Sequence, residues 1–202
     1  MPRVLTESDV ADFRERLCAA AERLFAEHGP EGVTMRQLAA ELGVSPMTPY
    51  RYFKDKEAIL SAVRTAAFNR FAEALEGAYD SAFDPLSRSA AVANAYIRFA
   101  QSEHAAYRLM FDLMQPDEED YPELVEAGER ARRTMTRHVE GLIQAGLLKG
   151  DPDMIGHIFW SALHGSLVLE FSGKLSPKIE PRRLREEMLV VLIKGLGLTV
   201  PG

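Results

Sequence analysis

Apolar residues recur at intervals of three and four along almost the whole chain, and no stretch alternates apolar and polar as a half-buried strand would. That period commits the chain to burying helix against helix, an all-α fold of about nine helices. Val10, Phe13, Leu17, Ala20 and Leu24 predict a first helix from Ser8 to His28, stopped by Gly29-Pro30. Thr34, with Gln37 three residues on, has the spacing of a capping box and opens a short second helix that Gly43 ends. A third begins at Ser45-Pro46 or at Thr48-Pro49 and ends near Phe53. Asp55 then caps a long helix from Lys56 to Tyr79. Asp84-Pro85 restarts the chain for a helix to Ser102, followed by helices from His104 to Met114, Glu123 to Ala145, Asp153 to Ser172 and Pro181 to Leu196. An acidic loop, Gln115 to Pro122, and a linker at Ser176-Pro177 complete the layout.

Charge and cysteine usage narrow the function. The 202 residues carry a net charge of −6, which excludes a globally basic nucleic-acid binder and leaves a local basic surface open. Residues 1–64 hold nine basic and ten acidic side chains, and residues 65–202 hold fifteen and twenty. Within the first part, residues 36–64 are net positive, with Arg36, Arg51, Lys54, Lys56 and Arg64 against Glu41, Asp55 and Glu57. One cysteine, Cys18, excludes an intrachain disulfide and a cysteine-based zinc finger, and its neighbours predict a packing role. The N-terminal stretch lacks the apolar core of a signal peptide. The uncharged run Ile158–Leu169 is too short to span a bilayer and contains Trp160, His164, Gly165 and two serines. The expected location is cytoplasmic, with no membrane partner.

The net-positive stretch coincides with the short-helix pair. Thr34 to Phe53 has helix-turn-helix grammar: Leu38, Ala39 and Leu42 face a core, Ala39 is small where the next element passes, Gly43 turns and Val44 plugs. The following element exposes Met47, Thr48, Arg51 and two tyrosines, side chains that can reach base edges in a major groove. The amides at the start of the preceding helix, with Thr34, suit a phosphate.

These residues resemble the TetR family of transcriptional regulators. The likeness rests on Gly32-Val-Thr-Met-Arg-Gln-Leu-Ala39, Leu42-Gly-Val-Ser45 and Thr48-Pro-Tyr-Arg-Tyr-Phe-Lys-Asp-Lys-Glu-Ala-Ile-Leu60, within about residues 8–64. Farther on, Phe159-Trp160-Ser-Ala-Leu-His164-Gly165 and the run from Tyr96 to Phe111 resemble the Trp…His-Gly subset of its ligand domains. The resemblance implies a helix-turn-helix DNA-binding domain over 1–64 and a helical ligand-binding and dimerisation bundle over 65–202. It places Thr34, Tyr50, Tyr52 and Lys56 on phosphates and Arg36 on a base or phosphate. Ser45, Met47, Thr48 and Arg51 face the groove floor, with Phe53 inward. Arg51 and Arg36 are the natural bidentate readers of guanine. Pro49 departs from the family, which carries Leu or Val there. Proline lacks the amide hydrogen, crowds the Ser45 carbonyl and biases Thr48 away from helical angles, which bears on Ser45 and Met47.

The resemblance further implies a homodimer on a near-palindromic operator, most simply a repressor released by a small, largely apolar effector, with no cofactor and no enzymatic activity. The residue pattern agrees. The Asp153–Ser172 segment is apolar on two sides and Met188–Ile193 all round, so Trp160, His164, Gly165, Met188, Val191 and Leu192 are candidates for a dimer interface, the other reading being core within one subunit. Phe71, Tyr96, Phe99, Met110, Met114, Met135, His138, Phe159 and Leu163 are candidates for a ligand pocket or for ordinary core, with Phe68 and Leu75 beside Phe71 also able to face it. His138, His157 and His164 form no metal-binding motif. The competing classes are a helical interaction protein and an enzyme using the C-terminal cavity, but the chain lacks a nucleophile elbow, a phosphate loop and a zincin motif.

Overall fold

The computed structural model describes residues 6–111 and 120–198. The helices in chain order are α1 (Glu7–His28), α2 (Met35–Glu41), α3 (Lys56–Asp80), α4 (Pro85–Ser102), α5 (His104–Met110), α6 (Pro122–Gln144), α7 (Pro152–Phe171) and α8 (Pro181–Gly195). Short 3-10 turns occur at Pro30–Gly32 and Pro49–Arg51, and there is no strand among the described residues.

Local chemistry sets the helix ends. Thr34 Oγ1 accepts the Gln37 amide at 3.3 Å while Gln37 Oε1 accepts the Thr34 amide at 2.8 Å, closing the expected capping box on α2. Asp55 Oδ1 accepts the Ala58 amide at 2.8 Å and opens α3 as expected. At the far end of α2, the Val44 amide donates to the Ala39 carbonyl and the Gly43 amide to the Ala40 carbonyl, each at 3.0 Å. This Schellman turn places Gly43 at φ +64°, a left-handed angle that glycine adopts without a Cβ penalty.

Two expected helices come out differently. The element after Gly43 is not an α-helix. The Thr48 amide donates to the Ser45 carbonyl at 2.8 Å, and the Arg51 amide to that of Thr48 at 3.1 Å. Tyr52 and Phe53 both donate to the Pro49 carbonyl at 3.0 Å. An α-helix from Ser45 needs the Pro49 amide hydrogen, which proline lacks, so the chain closes tighter three-residue turns instead. Thr48 itself is helical (φ −63°, ψ −46°), against the expected bias, and its side chain makes no capping bond. The helix from His104 stops at Met110, where the Phe111 amide bonds back to Arg108 in a tight last turn; Met114 and most of the acidic loop lie outside the described residues.

The described residues fall into two packed units. One comprises residues up to Arg70 together with Glu103–Glu129, and the other Phe71–Ser102 together with residues from Arg130 onward. The packing is therefore not contiguous in sequence, as a simple division at residue 64 would have it: α5 joins the first unit. That unit centres on Leu17, Phe25, Val33, Leu38, Ile59 and Val63, joined by Leu109 from α5. Cys18 packs against this core, and burial pushes its thiol up to about 11, so it stays protonated and unreactive at neutral pH. In the second unit Val139, Leu142, Leu148, Ile155 and Phe159 form a core against which α8 lays Leu189 and Leu192, with Leu196 just past its end. Here α7 approaches α6 closely at Gly156: a Cβ on that residue would stand 2.9 Å from the Met135 carbonyl oxygen.

Candidate nucleic-acid interface and ligand cavity

The turn after Gly43 is carried on a rigid base. Pro49 and Phe53 are buried, Phe53 belonging to the core of the first unit. The ring of Phe13 stacks on Tyr52 at 4.2 Å, and the Arg14 guanidinium lies 4.0 Å over the Phe53 ring while donating to the Tyr52 carbonyl at 2.6 Å. With those residues anchored, the intervening side chains point outward. Met47 is 67% exposed and Tyr50 48%, and Ser45, Arg36 and Arg51 are exposed, while Thr48 is half-buried.

The cations of this unit divide by what they already hold. Arg14 is engaged as above, Arg23 pairs with Glu41 at 2.7 Å, and Arg70 binds Glu103 at 2.8 Å and Glu22 at 3.1 Å. Arg36 and Arg51 make no ion pair or hydrogen bond among the described residues, so both guanidiniums are available to an external acceptor. Arg64, counted with the basic excess from sequence, is only 1% exposed and contributes nothing to an outer surface. The Lys56 ammonium donates to the Pro30 carbonyl at 2.7 Å and lies 3.8 Å from Glu31, tying the Pro30–Gly32 turn to the start of α3. One proton goes to that bond and two remain for other acceptors. Thr34 has its hydroxyl in the capping box, and Tyr52 is half-buried on Phe13.

In the second unit, a cavity of about 160 Å³ opens between α4, α6, α7 and α8. It brings together four of the expected pocket residues, Met135, His138, Phe159 and Leu163. Met114 lies outside the described residues, and the remaining ones lie elsewhere. Phe71 packs edge-on against Tyr96 and Phe99, with ring centres at 5.3 and 5.2 Å, in a buried aromatic cluster that does not line this cavity. Leu75 is buried but likewise absent from the lining, Met110 belongs to the first unit, and Phe68 stands against Phe111 there. Sequence reading, which put α4 in the pocket through Tyr96 and Phe99, missed Ser89 and Val92 of that helix and the α8 side chains Leu189 and Ile193. Ser89 Oγ lies 3.0 Å from His138 Nδ1, and burial pushes the His138 imidazole down to about 4, so it is neutral at pH 7. A separate polar groove of about 730 Å³ runs along α6, where Arg130 is bound to Glu76, Arg132 to Asp153 and Arg137 to Asp80.

The expected interface residues divide similarly. Trp160 donates through Nε1 to the Tyr96 hydroxyl at 3.1 Å, and Leu192 packs onto the core of its own unit. Val191 is 66% exposed, Met188 half-buried, and a Cβ on Gly165 would meet nothing within 4 Å beyond its own stretch of helix. Val168, Leu169 and Val190 are further exposed apolar side chains on α7 and α8. Burial lowers the pKa of His164, which sits half-buried on α7. No helix is long and apolar enough to cross a membrane, and no group of three or more His, Cys, Asp or Glu is placed to hold a metal, among the described residues.

Two family models match the chain. "Bacterial regulatory proteins, tetR family" covers residues 17–63, and "Tetracyclin repressor-like, C-terminal domain" covers residues 89–192. An HTH-type transcriptional regulator of Staphylococcus aureus (strain bovine RF122 / ET3-1) is 38% identical over 63 residues, 31% of this chain and 34% of that protein. The chain thus spans about a third of the length of that relative. A solved structure of a protein of unknown function from Rhodococcus sp. RHA1 is similar with a TM-score of 0.79 and 30% identity, covering 91% of this chain and 95% of that one. A tetR-family regulatory protein from Rhodococcus RHA1 shares the fold with a TM-score of 0.72 at 21% identity, covering 93% and 98%. The second family model alone spans just over half of the sequence, and with the helix-turn-helix match before it, the chain belongs to the tetR family of bacterial regulatory proteins.

Proposed function

We propose that this protein is a cytoplasmic, ligand-responsive transcriptional repressor that binds a near-palindromic double-stranded DNA operator as a homodimer and has no enzymatic role. The observation that carries the reading is the pair of unpartnered guanidiniums, Arg36 and Arg51, beside the exposed Met47 and Tyr50 on a rigidly held turn. Arg51 reads a base, and Met47 and Thr48 meet the groove floor with Ser45. Thr34, Tyr50, Tyr52 and Lys56 position the backbone. The exposed apolar side chains of α7 and α8, Val168, Leu169 and Val191, with the open Gly165, support a face that a second copy covers. Two recognition turns then reach half-sites about 34–36 Å apart. The position of Trp160, His164 and Gly165 on α7 supports assignment to the Trp…His-Gly subset.

The cavity supports control by an apolar effector. Its α4 wall includes Val92, and Tyr96 and Phe99 of the same helix hold Phe71 of α3. A ligand that displaces α4 thereby moves α3, whose first residue is Lys56. A preference of about 1–3 kcal/mol for the DNA-incompetent arrangement lowers operator affinity ~5–150-fold, and operator must weaken ligand binding by the same factor. Calorimetric titration of a stabilising compound with and without operator tests this, and equal affinities would refute the effector role.

A further inference from the structure

We infer that the cavity is built for a neutral molecule of about one ring in size carrying a single hydroxyl, which the His138–Ser89 pair anchors. The inference rests on the effector reading above and names the class of ligand.

Size comes first. A cavity of about 160 Å³ is close to the ~150 Å³ of an engineered apolar cavity in another protein that holds benzene. Long acyl chains and multi-ring compounds exceed it. Charge comes second. The lining includes Leu86, Val92, Leu142, Leu163, Leu189 and Ile193, and no side chain in it is a carboxylate, ammonium or guanidinium. An ion brought into it finds no opposite charge, and an unpaired buried ion is strongly disfavoured.

The polar anchor comes third. His138 is 5% exposed and lines the cavity. Its Nδ1 is taken by Ser89 Oγ at 3.0 Å, and its Nε2 makes no hydrogen bond among the described residues. A neutral imidazole has one donor and one acceptor nitrogen. If Ser89 donates to Nδ1, Nε2 carries the proton and donates; if Nδ1–H donates to Ser89, Nε2 accepts. A hydroxyl is donor and acceptor at once, so it satisfies Nε2 in either tautomer, whereas a carbonyl satisfies only one. Nε2 remains accessible from the cavity, and a polar nitrogen without a protein partner in an otherwise apolar wall is what a ligand hydroxyl answers.

The test titrates the full chain calorimetrically with phenol, benzene and benzoate, in the wild type and in His138→Leu and His138→Gln. Phenol is expected to bind at least as tightly as benzene to the wild type, and benzoate at least tenfold more weakly than phenol. His138→Leu should keep benzene and weaken phenol tenfold or more, while His138→Gln, which retains a polar group of similar reach, restores much of the phenol affinity. Binding of neither neutral probe, phenol tenfold weaker than benzene in the wild type, benzoate binding best, or a phenol-to-benzene ratio unchanged in His138→Leu would each overturn the inference. A separate arm adds saturating phenol to the operator complex. If phenol binds through His138 but leaves DNA affinity unchanged, the ligand class stands and the effector role fails.

Discussion

Acid titration of His138 gives a measurable consequence of its burial. In the folded chain the imidazole is held neutral down to about pH 4 by desolvation, against an ordinary value of 6.5. Above pH 6.5 neither the folded nor the unfolded state holds this proton, so its contribution to stability does not vary. Between pH 6.5 and about 4 the unfolded chain binds the proton and the folded one does not, so stability falls as pH falls, by about 1.4 kcal/mol per pH unit. The full loss is about 3 kcal/mol, reached near pH 4 and constant below it. The assay is urea unfolding at pH 7.5 and pH 5 for the wild type and His138→Gln. Taking the difference cancels the other titrating groups, including His164, whose pKa burial also lowers. The wild type should lose about 2 kcal/mol more than the variant between these two pH values. A difference below about 0.5 kcal/mol would show that the imidazole accepts a proton without a burial penalty, and the reading of His138 as a neutral anchor would fail with it.

Three further perturbations separate structure from surface. Gly156→Ala places a methyl 2.9 Å from the Met135 carbonyl, so α6 or α7 must shift, and unfolding free energy should fall by about 1–3 kcal/mol. Gly165→Ala meets nothing within 4 Å at a helix-interior position, so it should raise the subunit's own stability by about 0.5–1 kcal/mol, with any interface effect appearing as weaker self-association in light scattering. Lys56→Ala removes the bond to the Pro30 carbonyl and should cost about 1 kcal/mol of stability. If the two spare protons also grip a phosphate, the same variant flattens the salt dependence of DNA binding by about one unit of slope; an unchanged slope would confine Lys56 to its structural role.

What the sequence made legible was local. Thr34 with Gln37, Asp55 and Gly43 each fix a helix end through bonds spanning three to five residues, and such bonds follow from residue type and spacing. Pro49 was equally visible as a disturbance, but which tight turns replace the helix depends on burying Pro49 and Phe53 against the core, a tertiary matter. The failures were long-range. Met110 and Met135 sit in similar apolar helical patterns, and nothing in the period says that one packs in the first unit while the other lines the cavity. Arg64 and Arg51 are both basic residues of the same stretch, yet one is buried and the other exposed, because α3 turns Arg64 inward alongside Val63 and Leu60. The partner of Lys56 lies 26 residues away, beyond any local rule.

The central claim is that the exposed face between Ser45 and Arg51 reads DNA. Selection from random duplex DNA, run in parallel with the wild type and Arg51→Ala, tests it most directly. The account predicts enrichment of a near-palindrome with half-site centres one helical turn apart, and in Arg51→Ala a loss of preference at one position of each half-site worth about 1–3 kcal/mol. Enrichment of no sequence by the wild type, or an identical preference profile in the variant, would contradict it.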